Sequence, residues 1–173
     1  DLIEKPKDRL PIIVFTDASA RPDKYIASFA IVIQNIPCEF DIDLKLVKKY
    51  NLQTDPLSTG DIVVISGTVK NINVDFTEMA GIIVAVEILN FLVNVTGQKI
   101  VIYTDSLTAI KTLDFDKEFD SDLAGYSRLR SHYYKLIRNN NLDISLKKVP
   151  AHSGYEFNEI ADQSAKRRLR IKR

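Results

Sequence analysis

Four acidic side chains and one histidine stand where their types and spacing can do chemistry. Asp17 closes the apolar run I-V-F-T-D-A-S and Asp105 closes a second, I-V-I-Y-T-D-S. Each follows a Thr at the predicted end of a strand, and in open α/β sheets ligands bind beyond the strand ends. Glu78 lies one turn into a strongly apolar segment, and Asp162 lies in the first turns of a polar C-terminal one. His152, one of only two histidines, precedes Asp162 in V-P-A-H-S-G-Y-E-F-N-E-I-A-D (Val149–Asp162). Four carboxylates gathered together repel one another unless divalent cations neutralise them. Oxygen-only ligands favour Mg²⁺ or Mn²⁺ over Zn²⁺. Two such ions side by side are suited to in-line displacement at a phosphodiester.

Each residue also has a structural use on its own. An Asp at a strand end serves turns. Asp75 and Glu78 have the D-x-x-E spacing of a helix capping box. His152 can hydrogen-bond within its own loop, and Asp162 can pair with Lys166 one helical turn on. Chemistry therefore depends on whether the fold assembles them.

The elements that must do so can be read from periodicity. Leu10–Asp17 is a short apolar run, predicted as a strand, and Ala18–Lys24 a turn with Pro22-Asp23 at its tip. Tyr25–Gln34 and Asp61–Lys70 are predicted as further strands, with Leu44–Tyr50 as a short helix in the long segment between them. Asp75–Asn94 is predicted as a helix buried on most sides. Lys99–Thr104 is a fourth strand and Ser106–Leu113 a short helix, followed by an acidic loop over Asp114–Asp120. Asp122–Asn139 is an amphipathic helix, Leu142–Val149 a fifth strand and Asn158–Lys172 a terminal helix. Three successive strands favour an antiparallel meander, and the later β-α-β crossovers add parallel strands. The expected fold is α/β, a five-stranded mixed sheet with helices on both faces.

Composition sets the frame. A chain of 173 residues suits a single domain with a real core. Its single cysteine excludes an internal disulfide. Asp1–Leu10 is charged and polar, unlike a signal peptide, and the expected setting is intracellular: cytoplasmic, nuclear or that of a virus or retroelement. The apolar stretch Met79–Val95 is interrupted by Glu87, Asn90 and Asn94, as in a buried helix rather than a membrane span. The chain opens on Asp1, as a processed or excised domain would. Net charge is +1, yet residues 166–173 hold six basic groups, leaving about −5 on residues 1–165. Such a basic tail suits a phosphate backbone, a localisation signal or simply a solvated helix end.

The joint arrangement resembles the type 1 ribonuclease H family, including the ribonuclease H domains of retroviruses and retrotransposons. The resemblance rests on T-D-A-S (Thr16–Ser19), T-E-M-A (Thr77–Ala80), T-D-S (Thr104–Ser106) and H-S-G-x-x-x-N-E-x-A-D (His152–Asp162), in the family's order over about Leu10 to Lys166. It implies a ribonuclease H-like fold over residues 1–173, with 37–60 inserted between the second and third strands and 166–173 a basic tail. It implies that Asp17, Glu78, Asp105 and Asp162 bind two Mg²⁺ ions, which Mn²⁺ can replace. His152 matches the loop histidine linked to proton transfer or product departure, while Asn158 and Glu159 support loop and helix. The implied reaction is hydrolysis of the RNA strand of an RNA–DNA hybrid, leaving 3′-hydroxyl and 5′-phosphate ends. Ser19, Asn71, Asn73, Ser106, Arg128 and Arg130 are the candidate substrate contacts.

Several positions depart from the family's pattern. Ala18 replaces a usual Gly, Tyr25–Ala30 a glycine-rich strand, and Leu107 a frequent Gln or Arg. Before Glu78 the polar residues are Asn71, Asn73 and Asp75, and polar groups of this kind distinguish RNA by its 2′-hydroxyl. Where many cellular members carry a basic protrusion, Asp114–Asp122 reads D-F-D-K-E-F-D-S-D. Grip on a nucleic acid then falls to Arg128, Arg130, Lys135, Arg138 or the tail, or to a linked partner domain such as a polymerase. The alternative reading is a catalytically silent module of the same fold that serves as a scaffold or nucleic-acid binder. A proofreading-type exonuclease is set aside, because its histidine lies about five residues before the last Asp rather than ten.

Overall fold

A computed structural model describes residues 10–60, 62–70, 73–92, 97–114, 125–149 and 155–170. The acidic stretch 115–124, Asn71, His152 and the tail residues 171–173 lie outside them. Strands β1 (Ile12–Arg21), β2 (Ile26–Gln34), β3 (Gln53–Thr54), β4 (Ile62–Val69), β5 (Lys99–Thr104) and β6 (Asp143–Lys148) form one sheet in the order β3-β4-β2-β1-β5-β6. β3, β4, β2 and β1 pair antiparallel, and β5 and β6 add in parallel. The mixed α/β sheet is therefore as expected, with a sixth, two-residue strand at one edge. β3 is too short to leave a periodic signal, and only its pairing with Ser66 and Ile65 defines it.

Helices α1 (Leu44–Tyr50), α2 (Val74–Phe91), α3 (Leu107–Leu113), α4 (Tyr126–Asn140) and α5 (Glu156–Arg170) complete the fold. Side-chain alternation splits the core in two. Ile12 and Val14 of β1, Phe29, Ile31 and Ile33 of β2 and Ile65 of β4 face α2. Phe15, Ala30, Val32, Ile62 and Val64 face α5 through Ala161 and Ala165. α2 is buried all round, as its apolar sequence requires: Met79, Ile82, Val84, Val86, Ile88 and Leu89 have no exposure. Each large apolar side chain buried this way contributes about 1.5–3 kcal/mol. Among the described residues no helix is long and apolar enough to cross a membrane.

Three expectations are corrected. β1 does not stop at Asp17 but continues through Ala-Ser-Ala to Arg21, paired with β2 to its end. Small polar residues hide a strand from a hydrophobicity pattern, and the turn shrinks to the single 3₁₀ turn Pro22–Lys24. α2 is capped by Asn73, whose side chain accepts from Phe76 N at 3.0 Å, and not by Asp75. Glu78 is therefore not a capping-box acceptor. α5 begins at Glu156, two residues earlier than predicted, so Phe157 lies in its first turn and packs 6.0 Å from the Phe15 ring.

Between β2 and β4 the chain carries α1 and β3. Asp43 caps α1 by accepting from Lys45 N at 3.0 Å, and Asn51 ends it in the left-handed region at φ 52°. Leu46 and Leu52 then join the α2-side core. Gly67 of β4 admits Leu52 closely: a β-carbon there would sit 2.8 Å from Leu52 Cδ2.

Candidate metal centre

β1 and β5 pair in parallel from Ile12–Ile100 to Phe15–Tyr103 and then diverge. The same register carried two residues further sets Asp17 opposite Asp105, so the two matched motifs of the sequence become neighbours in space. β5 ends at Thr104, and Thr104 Oγ1 accepts from Ser106 N at 3.1 Å, turning the chain away just after the split. Ser106 then caps α3 by accepting from Ala109 N at 3.0 Å. β1 continues beside β2, so Asp17 sits within a strand while lying past the end of its pairing with β5. α2, entering over this point, delivers Glu78 from the opposite face of the sheet.

The result is a compact acidic cluster. Asp17, Glu78 and Asp105 each present a carboxylate oxygen, all within 4.8 Å of one another. Asp17 and Glu78 are buried, at 7% and 4% exposure. Burial first, and then the Asp105 charge, push Asp17 up to about 7, while the Ala18 N–H donating at 2.9 Å opposes the shift. The neighbouring Asp162 carboxyl adds to the rise. Burial first, and then the Asp17 and Asp105 charges, raise Glu78 well above the ordinary carboxylate range. Glu78 Oε2 is buried without a hydrogen-bond partner among the described groups. A buried carboxylate oxygen with no donor, set among like charges, is a place for a cation. Three carboxylates and no nitrogen or sulfur ligand suit a hard ion such as Mg²⁺ or Mn²⁺.

The other predicted residues fall around this cluster in different ways. Asp162 adjoins Asp17 but also accepts from Lys166 Nζ at 2.9 Å, so its pairing along α5 and its place at the cluster coexist. Asn158 is buried in α5, while Glu159 is exposed. Ser19 shares the strand face of Asp17, two residues on. The side-chain oxygens of Asn73 and Ser106 are engaged as helix caps. Asn73 Oδ1 also accepts from Tyr126 Oη at 3.4 Å, tying the start of α2 to α4. Arg128 is exposed on α4 and Arg130 half-buried.

Sequence reading missed a polar cluster at the far side of α5. Asp55, only 8% exposed, accepts from Ser164 Oγ at 2.7 Å, Arg167 Nη1 at 3.0 Å and Leu57 N at 2.8 Å. Arg168, equally buried, donates to Ser66 O and Oγ at 3.2 and 3.1 Å and to Asn51 O. Of the residues counted as basic tail, Arg168 is therefore internal to the fold, while Arg167 is exposed but paired with Asp55.

A mixed sheet in this order, with acidic groups at the point where two central strands part, defines the ribonuclease H-like class of α/β proteins. The RNase H family profile matches residues 9–170, and the chain belongs to the RNase H family. It is accordingly an enzyme of that class, a ribonuclease H. No curated protein sequence matches the chain. Among solved structures it is similar to RNase H1 from the halophilic archaeon Halobacterium salinarum NRC-1, at 19% identity and TM-score 0.64 over 92% of this chain and 98% of that one. The N-terminal RNase H domain of a Mycobacterium tuberculosis protein, solved as a fusion with maltose-binding protein, matches at 12% identity and TM-score 0.64 over 92% and 94%. LC11-RNase H1, solved in complex with an RNA/DNA hybrid, matches at 15% identity and TM-score 0.60 over 91% and 99%. At these identities the likeness speaks for the fold.

Proposed function

We propose that this ribonuclease H hydrolyses the RNA strand of RNA–DNA hybrids with the help of bound divalent cations, Mg²⁺ or Mn²⁺, held by Asp17, Glu78, Asp105 and Asp162. The observation that carries this reading is the oxygen-only cluster of Asp17, Glu78 and Asp105 within 4.8 Å. The hybrid bound to LC11-RNase H1 supports the same substrate class here.

When bound, such ions supply Lewis acidity toward the phosphate and toward the attacking water. The residues of this chain supply the frame. The β1–β5 split sets Asp17 and Asp105 side by side, and α2 fixes Glu78 in a buried position. Burial and mutual repulsion favour the protonated forms of Asp17 and Glu78, so a divalent cation held there would compete with protons, and its affinity would rise with pH. His152, ten positions before Asp162, is assigned the shuttling of a proton at the leaving oxygen. Asn158, buried in the first turn of α5, is assigned the support of that helix start.

The test is cleavage of end-labelled hybrid, duplex RNA and single-stranded RNA in Mg²⁺ or Mn²⁺, beside Asp105→Asn. Hybrid-selective cleavage by the wild type, lost in the variant, is expected. A wild type that cuts none of the three, or an Asp105→Asn protein that cuts equally well, overturns the proposal.

A further inference from the structure

We infer that Asp55, in the segment between β2 and β4, is a positioning residue for Asp162. The inference rests on the reading of Asp162 as a cation ligand, and it starts from how α5 sits on the sheet. Past Phe157 and Ile160, which pack on the sheet near its start, the helix rests on small residues: Ala161 and Ala165 are fully buried, and Ser28 of β2 donates to Ala165 O. Such a contact allows close approach but offers little to stop a helix from rolling about its own axis. At about 100° per residue, Asp162 and Arg167 lie roughly 140° apart, on opposite flanks of the buried stripe. Asp162 is on the β1 flank beside Asp17, and Arg167 on the β4 flank.

The β4 flank is held by a set of buried directional bonds. Asp55 takes Ser164 and Arg167, and Arg168 takes Ser66 and Asn51. Asp55 is itself fixed, since its N–H donates to Val64 O at 2.7 Å and its carboxylate accepts from Leu57 N. The clamp therefore reaches α5 from β4 and from the end of α1 together. It sets the roll of α5, and through that roll the distance from Asp162 to Asp17. The chain between β2 and β4 thus acts on the cation site without touching it. Fully made, charge-assisted bonds of this kind hold geometry well, because breaking one partner leaves the other buried and unpaired.

The experiment compares wild type, Asp55→Ala, Asp55→Asn and Asp162→Asn, and the double variant Asp55→Ala/Asp162→Asn. Mn²⁺ affinity is measured by calorimetry well below each melting temperature, and hydrogen exchange is followed along α5. Loss of a group that orients a ligand costs about 10–100-fold in metal affinity. Asp55→Ala is expected to weaken Mn²⁺ by about tenfold and to speed exchange over 158–163 relative to α2. Asp55→Asn, which keeps shape and hydrogen bonds, should recover most of both. In the Asp162→Asn background, Asp55→Ala should cost little more, since it acts through the missing carboxylate. Additive losses, or Mn²⁺ affinity and α5 exchange left unchanged in Asp55→Ala, overturn the inference. A wild type that binds no Mn²⁺ overturns the metal reading, and the inference with it as a statement about ligands. Exchange along α5 still reports whether Asp55 sets the helix, so the two failures are distinguishable.

Discussion

At the scale of single residues, the cluster stores a conflict that the fold imposes. Asp17 titrates at about 7 instead of its ordinary 3.8, because burial and Asp105 both disfavour its charge. The folded state therefore holds this proton more tightly than the unfolded chain does. The resulting stability is complete below 3.8 and is lost as pH rises through about 7. In chelator, the melting temperature should fall between about pH 5 and pH 8, and Asp17→Asn should flatten that fall; a wild-type profile as flat as the variant's would refute it. Mg²⁺ should raise the melting temperature most at the alkaline end, where the carboxylates are ready to bind it. Glu78→Gln replaces a buried carboxyl that resists ionisation with a neutral amide of the same volume. At alkaline pH, where the wild-type carboxyl is forced to ionise, the metal-free variant should melt a few degrees higher, each kcal/mol being worth about 2–4 °C in a chain of this size. Cleavage of hybrid should meanwhile be lost. Greater stability with no activity would mark Glu78 as a functional strain, as trade-offs at active sites lead one to expect.

At the scale of elements, caps decide where helices begin, and the start of α2 determines where Glu78 points. Asn73→Ala should cost about 1 kcal/mol, the usual worth of an N-cap. Asp75→Ala, which removes only an exposed charge near the helix dipole, should cost about 0.3–1 kcal/mol. Thermal melts that rank the two in the opposite order would restore Asp75 as the cap. This pair also shows what the sequence could convey. Strands with clear apolar alternation and short helices such as Leu44–Tyr50 were legible, because each has a local signature. The motifs around Asp17 and Asp105 were legible as a pair, since parallel strands in register put like beside like. The continuation of β1 through Ala-Ser-Ala-Arg was not legible, because its order comes from pairing with β2 rather than from burial. Nor was the Asp55 clamp: Asp55 and Ser164 are 109 residues apart, and nothing local in either marks the bond.

At the scale of the whole molecule, the question is where a polyanion would be gripped. The sequence places six basic groups in the last eight residues, yet they are not equivalent once folded. Lys166 pairs with Asp162, Arg167 with Asp55, and Arg168 is buried. α4 is different. Its Tyr126, Leu129, Tyr133, Leu136 and Ile137 turn to the core, leaving Arg128, Lys135 and Arg138 exposed on the other side. Arg138 stacks toward the Tyr134 ring at 5.9 Å, which presents a cation and an aromatic face together. A lysine or arginine that neutralises a phosphate releases counterions, so each real contact shows in the salt dependence of binding. With Asp105→Asn as background to prevent cleavage, Arg128→Ala should weaken hybrid binding and reduce the slope of log K against log salt by about one. Arg167→Ala should leave that slope unchanged, because its charge is already spent on Asp55. Fluorescence anisotropy across a salt series separates the two. Equal slopes for wild type and Arg128→Ala, with a reduced slope for Arg167→Ala, would move the grip from α4 to the end of α5.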